Sequence, residues 1–191
     1  MIRWFAVVAG LLLLVAAGVL GAWSWRRWRV RRLAEAERAR VLGVAYASLR
    51  DIMVPDAAGG PLHIDYLLLT ARGLLVIDYR DVPGVIFGGE HMDEWAVMSR
   101  SRRFTFPNPL GPLYDRVTAV RLAAGEAPVE GRVVFTDRGR FPKGQPPQVT
   151  MLDALAREFP SAGANPQGGE RWLAQWDRVK AAATPSTLAR R

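Results

Sequence analysis

HIDYLLLTARGLLVIDYR, residues 63–80, holds two apolar runs of strand length separated by a short break at Ala71–Gly73. Leucine-rich runs fit helix or strand by composition alone. Their length and the glycine break favour the two strands of a hairpin. Asp78 and Arg80 stand two residues apart, and alternation along a strand sends both side chains to one face. Asp65 lies near the start of the first strand. A turn at Ala71–Arg72 sets Asp65 opposite Asp78; a turn at Arg72–Gly73 sets it opposite Arg80. Either register gathers two carboxylates and a guanidinium on one face, whereas a three-residue loop would separate them.

Converging carboxylates repel, and they persist where a cation or a hydrogen-bond network offsets the repulsion. An Asp–Arg ion pair at the strand end, kept for local structure, is one solution. A divalent ion is another. Mg²⁺ or Mn²⁺ would take oxygens from Asp65 and Asp78 and keep waters that a phosphate can replace. Arg80 would then hold the phosphate or offset developing charge. That is the minimum for metal-assisted phosphodiester hydrolysis.

Outward from the hairpin, the chain alternates short apolar runs with breakers. Residues 33–53 place Leu42, Ala45, Leu49 and Ile52 at helical spacing, which predicts a helix. PDAAGG, 55–60, is a linker. After the hairpin, GVIFGG (84–89), EWAVMS (94–99) and Arg102–Phe106 predict three further strands. NPLGP, 108–112, opens a helix that runs to about Ala124, and Asn108 shapes the turn before it. GRVVFTD, 131–137, is another strand. TMLDALAREF, 150–159, predicts a helix capped by Thr150. A last helix over 170–182 carries Trp172, Trp176 and Val179 on one stripe, and the tail from Thr184 is expected to be loose. Strands first and then helix, strand and helix give an α/β class with a mixed sheet flanked by helices.

The amino terminus is of another kind. Trp4–Trp23 runs for 20 residues without a charge, which as a helix spans roughly the 30 Å of a bilayer core. Trp4 at one end and Trp23, Trp25 and Trp28 at the other suit the two interfaces. RRWRVRR, 26–32, follows at once. A cleavable leader would carry a shorter apolar run with its charge in front. The reading is a single transmembrane helix. In a bacterial host the arginines place the bulk of the chain on the cytoplasmic side of the inner membrane. Residues 1–32 contribute six of the net +8 charge, which leaves +2 for residues 33–191 and weakens any inference of a DNA-binding face from net charge. The chain has no cysteine and two histidines, which excludes disulfide scaffolds, thiolate metal sites and a cysteine nucleophile. Arg100, Arg102 and Arg103, with Phe104 and Phe106, form a basic-aromatic cluster suited to gripping phosphates and stacking bases. A strand with a solvated basic face is the plainer alternative.

The expected organisation is therefore a transmembrane helix and basic flank (1–32), an amphipathic helix and linker (33–60), an α/β domain (61–160), and a linker, helix and tail (161–191). Within it, HIDYLLLTARGLLVIDYRDVPGVIFGG, followed by Trp95 and Asn108-Pro109-Leu110, resembles the nuclease-related domain, NERD. Ile64-Asp65 matches the first Asp of that family's pattern, Asp78-x-Arg80 its Glu-x-Lys, and Gly84 the glycine that follows. The resemblance implies a restriction-endonuclease-like PD-(D/E)xK core and a Mg²⁺- or Mn²⁺-dependent DNA-cleaving site, with Asp65, Asp78 and Arg80 as its residues. Four positions depart from the pattern: His63 for an acidic residue, Asp78 for Glu, Arg80 for Lys and Pro112 for Gln. The shorter carboxylate and the permanently charged guanidinium both bear on turnover. The rival reading is a degenerate domain that binds nucleic acid or protein at the membrane.

Overall fold

A computed structural model describes the backbone of residues 2–100, 102–160, 162–165 and 167–186, and the side chains of the same residues from 18 onward except 19. Two compact units divide the chain, Met1–Ala39 and Arg40–Arg191. The first is formed from one helix, α1 (Ile2–Leu42). Among the described residues no helix is long and apolar enough to cross a membrane. The expected span Trp4–Trp23 falls mainly on side chains 4–17 and 19, which lie outside the described residues.

The second unit contains two mixed sheets. The larger has the order β10-β1-β2-β3-β7-β9 and the smaller β6-β5-β4-β8. The strands of the larger are β1 (Ala47–Pro55), β2 (Pro61–Thr70), β3 (Gly73–Arg80), β7 (Val129–Phe135), β9 (Val149–Met151) and β10 (Thr184–Pro185). The smaller is built from β4 (Gly84–Phe87), β5 (Glu94–Ser99), β6 (Arg102–Pro107) and β8 (Gly139–Arg140). Helices α2 (Leu110–Ala124), α3 (Leu155–Glu158) and α4 (Leu173–Ala182) complete the unit.

The leucines of the hairpin fill both faces of the larger sheet. Leu67, Leu69, Leu74 and Val76 face a core shared with α2, α4 and the smaller sheet. Leu68, Leu75 and Ile77 face a second core with Val41, Val44, Leu155 and Phe159. A strand buried on both faces needs no polar alternation, which explains the continuous apolar runs. The turn is Ala71–Arg72: Thr70 pairs with Gly73, and the ladder continues to Tyr66 and Ile77.

Several expectations are corrected. One mixed sheet becomes two. The helix predicted over 33–53 ends at Leu42, and Ala47–Pro55 is a strand. The error has a geometric cause. Ala47, Leu49, Ile52 and Val54 meet the same core, so the strand takes a three-residue step between Leu49 and Ile52. Asp51 provides it with a left-handed φ of 51°, and the step mimics helical spacing. Thr150 is no helix cap either. It lies in β9, alongside Val134 of β7, and its hydroxyl donates to Glu158 at 2.6 Å. Of the tail, Thr184–Pro185 pairs with β1 as β10, while 187–191 lie outside the described residues.

Candidate functional site

Strands β1 and β2 change phase on the same rung. Arg50 lies opposite Tyr66 and Ile52 opposite Ile64, and the strand register steps over Asp51 and Asp65 between them. In β2 the core-facing series runs Leu62, Ile64 and then Leu67, Leu69, the same three-residue step as in β1. The double kink turns two aspartates into a half-buried polar spot beside His63. His63 Nε2 lies 3.8 Å from Asp51 Oδ1, and His63 Nδ1 lies 3.8 Å from Asp65 Oδ1. One ligand atom from each of Asp51, His63 and Asp65 falls within 4.8 Å of the others.

The neighbouring strand carries the other two expected residues. Asp78 is one rung beyond the last β2–β3 pair, and its side chain is 4 % exposed. Arg80 embraces it from the same face: Nε donates to Oδ1 at 2.6 Å and Nη2 to Oδ2 at 2.9 Å. Arg116 of α2 adds a third bond, Nη1 to Asp78 Oδ2 at 3.1 Å, while its Nε donates to the His63 carbonyl at 2.6 Å. Asp65 Oδ2 accepts the Tyr79 amide at 2.8 Å, so a carboxylate replaces the main chain where the hairpin ladder stops. Burial alone would lower the Arg80 pKa. The hydrogen bond to Asp78 and the charges of Asp78 and Asp65 outweigh it and raise the pKa. Arg80 is therefore a fixed cation and no general base.

Of the predicted trio, Asp78 and Arg80 are bonded to each other, and Asp65 reaches Arg80 through its charge alone. Asp65 joins Asp51 and His63, whereas Asp78 has both oxygens on guanidinium groups. The donor set that fits a divalent ion is Asp51–His63–Asp65: two carboxylates and an imidazole, half-buried and close enough to share one centre. The imidazole is a nitrogen donor, which suits Mn²⁺ or another first-row ion better than oxygen-seeking Mg²⁺.

Two residues escaped the sequence. Asp51 was hidden by the helical reading of its strand. Arg116 stands on the buried stripe of α2, three residues from Leu113 and four from Val120. A charge at a position that periodicity assigns to the core is the signal that could have found it.

The remaining motifs are scaffold. A Cβ on Gly88 would lie 2.3 Å from the Trp95 indole, so only glycine lets that ring seat. Trp95 is fully buried, stacks on Phe135 at 6.1 Å and donates to the Gly89 carbonyl at 3.1 Å. Asn108 ties the same loop, donating to the carbonyls of Glu90 and Met92 at 3.1 and 2.7 Å and accepting from the Leu110 amide.

A nuclease-related domain model matches residues 27–136, more than half the chain, from within α1 to just past β7. This chain belongs to the NERD family. In NERD terms, the match spans β1, the hairpin, the smaller sheet's three sequential strands and α2, which together supply every residue of the polar cluster. No curated protein and no solved structure matches the chain.

Arg100, Arg102 and Arg103 lie apart from that cluster. Arg100 occupies the β5–β6 turn with a φ of 53°, and Arg102 and Arg103 pair with Ser99 and Met98 on the exposed strand β6. Arg100 lines a cleft of about 800 Å³ with Arg138, Arg140, Met98, Phe87 and Asp137; Arg102 and Arg103 do not. Arg138 is paired with Asp81. Among the described residues, Arg100, Arg102, Arg103 and Arg140 have no ion-pair partner.

Proposed function

We propose that this NERD chain is a membrane-tethered hydrolase of phosphodiesters, with a divalent metal ion held by Asp51, His63 and Asp65. The observation that carries the reading is the convergence of those three donors, one of which, Asp65, acts through its charge on Arg80. The ion, when bound, supplies a Lewis acid and a water of lowered pKa. The chain's own groups do the rest. Asp78 holds Arg80 by two of its nitrogens and leaves Nη1 for a phosphate oxygen. Arg116, also held by Asp78, fixes the carbonyl of His63 and hence that strand's path. Arg100, Arg102, Arg103 and Arg140, without carboxylate partners among the described residues, suit the backbone of a nucleic acid entering over the smaller sheet. The match of Asp65 and Asp78-x-Arg80 to the NERD pattern, which implies PD-(D/E)xK chemistry, supports the same reaction, with the metal position moved from Asp65–Asp78 to Asp51–His63–Asp65. The apolar run and the arginines after it support an anchor in the inner membrane with the domain in the cytoplasm.

A second reading has its own observation. Asp78 is spent on two arginines, as in a site that has lost turnover and kept its fold. The full chain in mild detergent, mixed with plasmid DNA and Mn²⁺ or Mg²⁺, separates the two. Nicking that EDTA abolishes, that is faster with Mn²⁺, and that disappears in Asp65→Asn supports the hydrolase. Salt-sensitive retardation of the plasmid without nicking, weakened by Arg100→Gln and Arg103→Gln, selects the binding module.

A further inference from the structure

Between residues 23 and 32, helix α1 repeats one contact three times. Arg27 lies over the Trp23 ring at 4.4 Å, Arg29 over Trp25 at 5.5 Å and Arg32 over Trp28 at 4.6 Å. Each pair is one helical turn apart. The three indoles are 54 %, 58 % and 53 % exposed, and Leu20, Val30 and Leu33 are exposed with them. By the helical period, Trp25 projects on the side opposite Trp23, and Trp28 between them. The pairs thus ring the helix. A stripe would fit one protein partner on one side; a ring fits a medium that surrounds the helix.

The chemistry of that medium follows from the charges. Arg26, Arg27, Arg29, Arg31 and Arg32 fall within seven residues, and no carboxylate occurs before Glu35. Indoles belong at the depth of lipid headgroups. A guanidinium stacked on an indole keeps its N–H edge free, and that edge matches a phosphodiester bidentately. Arg26 and Arg31 flank Trp23, Arg27 and Val30 along a shallow groove, which adds two cations for headgroups.

We propose that residues 23–32 form a collar that binds anionic phospholipid headgroups, so that the chain selects anionic lipid around its point of attachment. This rests on the membrane tether proposed above and goes beyond it, because a tether alone needs no headgroup preference. The test uses the full chain reconstituted into vesicles of mixed phosphatidylcholine and phosphatidylglycerol. The chain is extracted in mild detergent, and its retained lipid is counted by native mass spectrometry. The expected result is several-fold enrichment of phosphatidylglycerol over its share of the vesicle. The enrichment falls to the bulk ratio when all five arginines are replaced by glutamine, and falls in part in Trp23→Leu/Trp25→Leu/Trp28→Leu, which keeps the helix apolar. A bulk lipid ratio on the wild-type chain, or full enrichment in the glutamine variant, overturns the collar while leaving the tether intact. A chain absent from the vesicle fraction overturns both. Duplex DNA that binds the reconstituted chain through these arginines and strips away the enriched lipid assigns the collar to nucleic acid and also overturns the proposal.

Discussion

Asp78 is a buried carboxylate that faces two guanidinium groups. Removing one member of a buried, hydrogen-bonded ion cluster leaves the others uncompensated, at a cost on the order of 3 kcal/mol. Asp78→Ala is therefore expected to lower the unfolding free energy read from urea melts by that amount. Arg80→Ala should cost about 2 kcal/mol, because the buried Asp78 then keeps only the Arg116 bond. The pH dependence follows from Arg80. A group whose pKa is raised on folding stabilises the fold below its unfolded pKa and loses that contribution only as pH climbs through the folded one. For Arg80 that window is strongly alkaline. The stability difference between wild type and Arg80→Ala should stay constant from about pH 7 to pH 10, as urea melts at the two ends will show. At this scale the sequence was legible where the backbone is regular. Asp78 and Arg80 share a face because β3 alternates cleanly. Asp51 was not legible, because a left-handed residue shifted the strand phase and left the imprint of a helix. Arg116 was passed over because a charge on α2 reads as solvated, although its place on the buried stripe marked it.

The elements hold this cluster by close backbone approach. Gly131 of β7 sits under α2, and a Cβ there would lie 2.6 Å from Val117 and 3.0 Å from Leu113. Gly131→Ala should push α2 outward, cost about 1–3 kcal/mol, and loosen Arg116 from Asp78. Thermal melts read the first effect, and amide exchange at Tyr79 and neighbouring hairpin amides reads the second. Gly111, in the first turn of the same helix, has open space around its missing Cβ. Gly111→Ala should leave stability unchanged or raise it by about 0.5–1 kcal/mol. The hairpin and the strands after it were readable because their lengths and breaks are those of ordinary strands. The division into two sheets was not. It depends on β4 pairing with the two-residue β8 and on β3 pairing with β7 across the smaller sheet and α2, partners distant in sequence. The short α3 was overread for a related reason: Thr150–Phe159 has helical composition, but parallel pairing with β7 claims its first two residues.

At the scale of the whole molecule, the candidate centre exists only when β1, β2, β3 and α2 are assembled, since each contributes one or two of its side chains. That assembly distinguishes the account from a reading of the hairpin alone, which would set the metal between Asp65 and Asp78. Titration of the full chain in mild detergent with Mn²⁺, following the free aquo-ion signal by electron paramagnetic resonance, decides between them. The account predicts saturable uptake at one site, weakened by about tenfold or more in Asp51→Asn and in His63→Ala, and retained in Asp78→Asn once circular dichroism confirms that this variant is folded. No saturable uptake, or uptake that survives Asp51→Asn and is lost in folded Asp78→Asn, would contradict it.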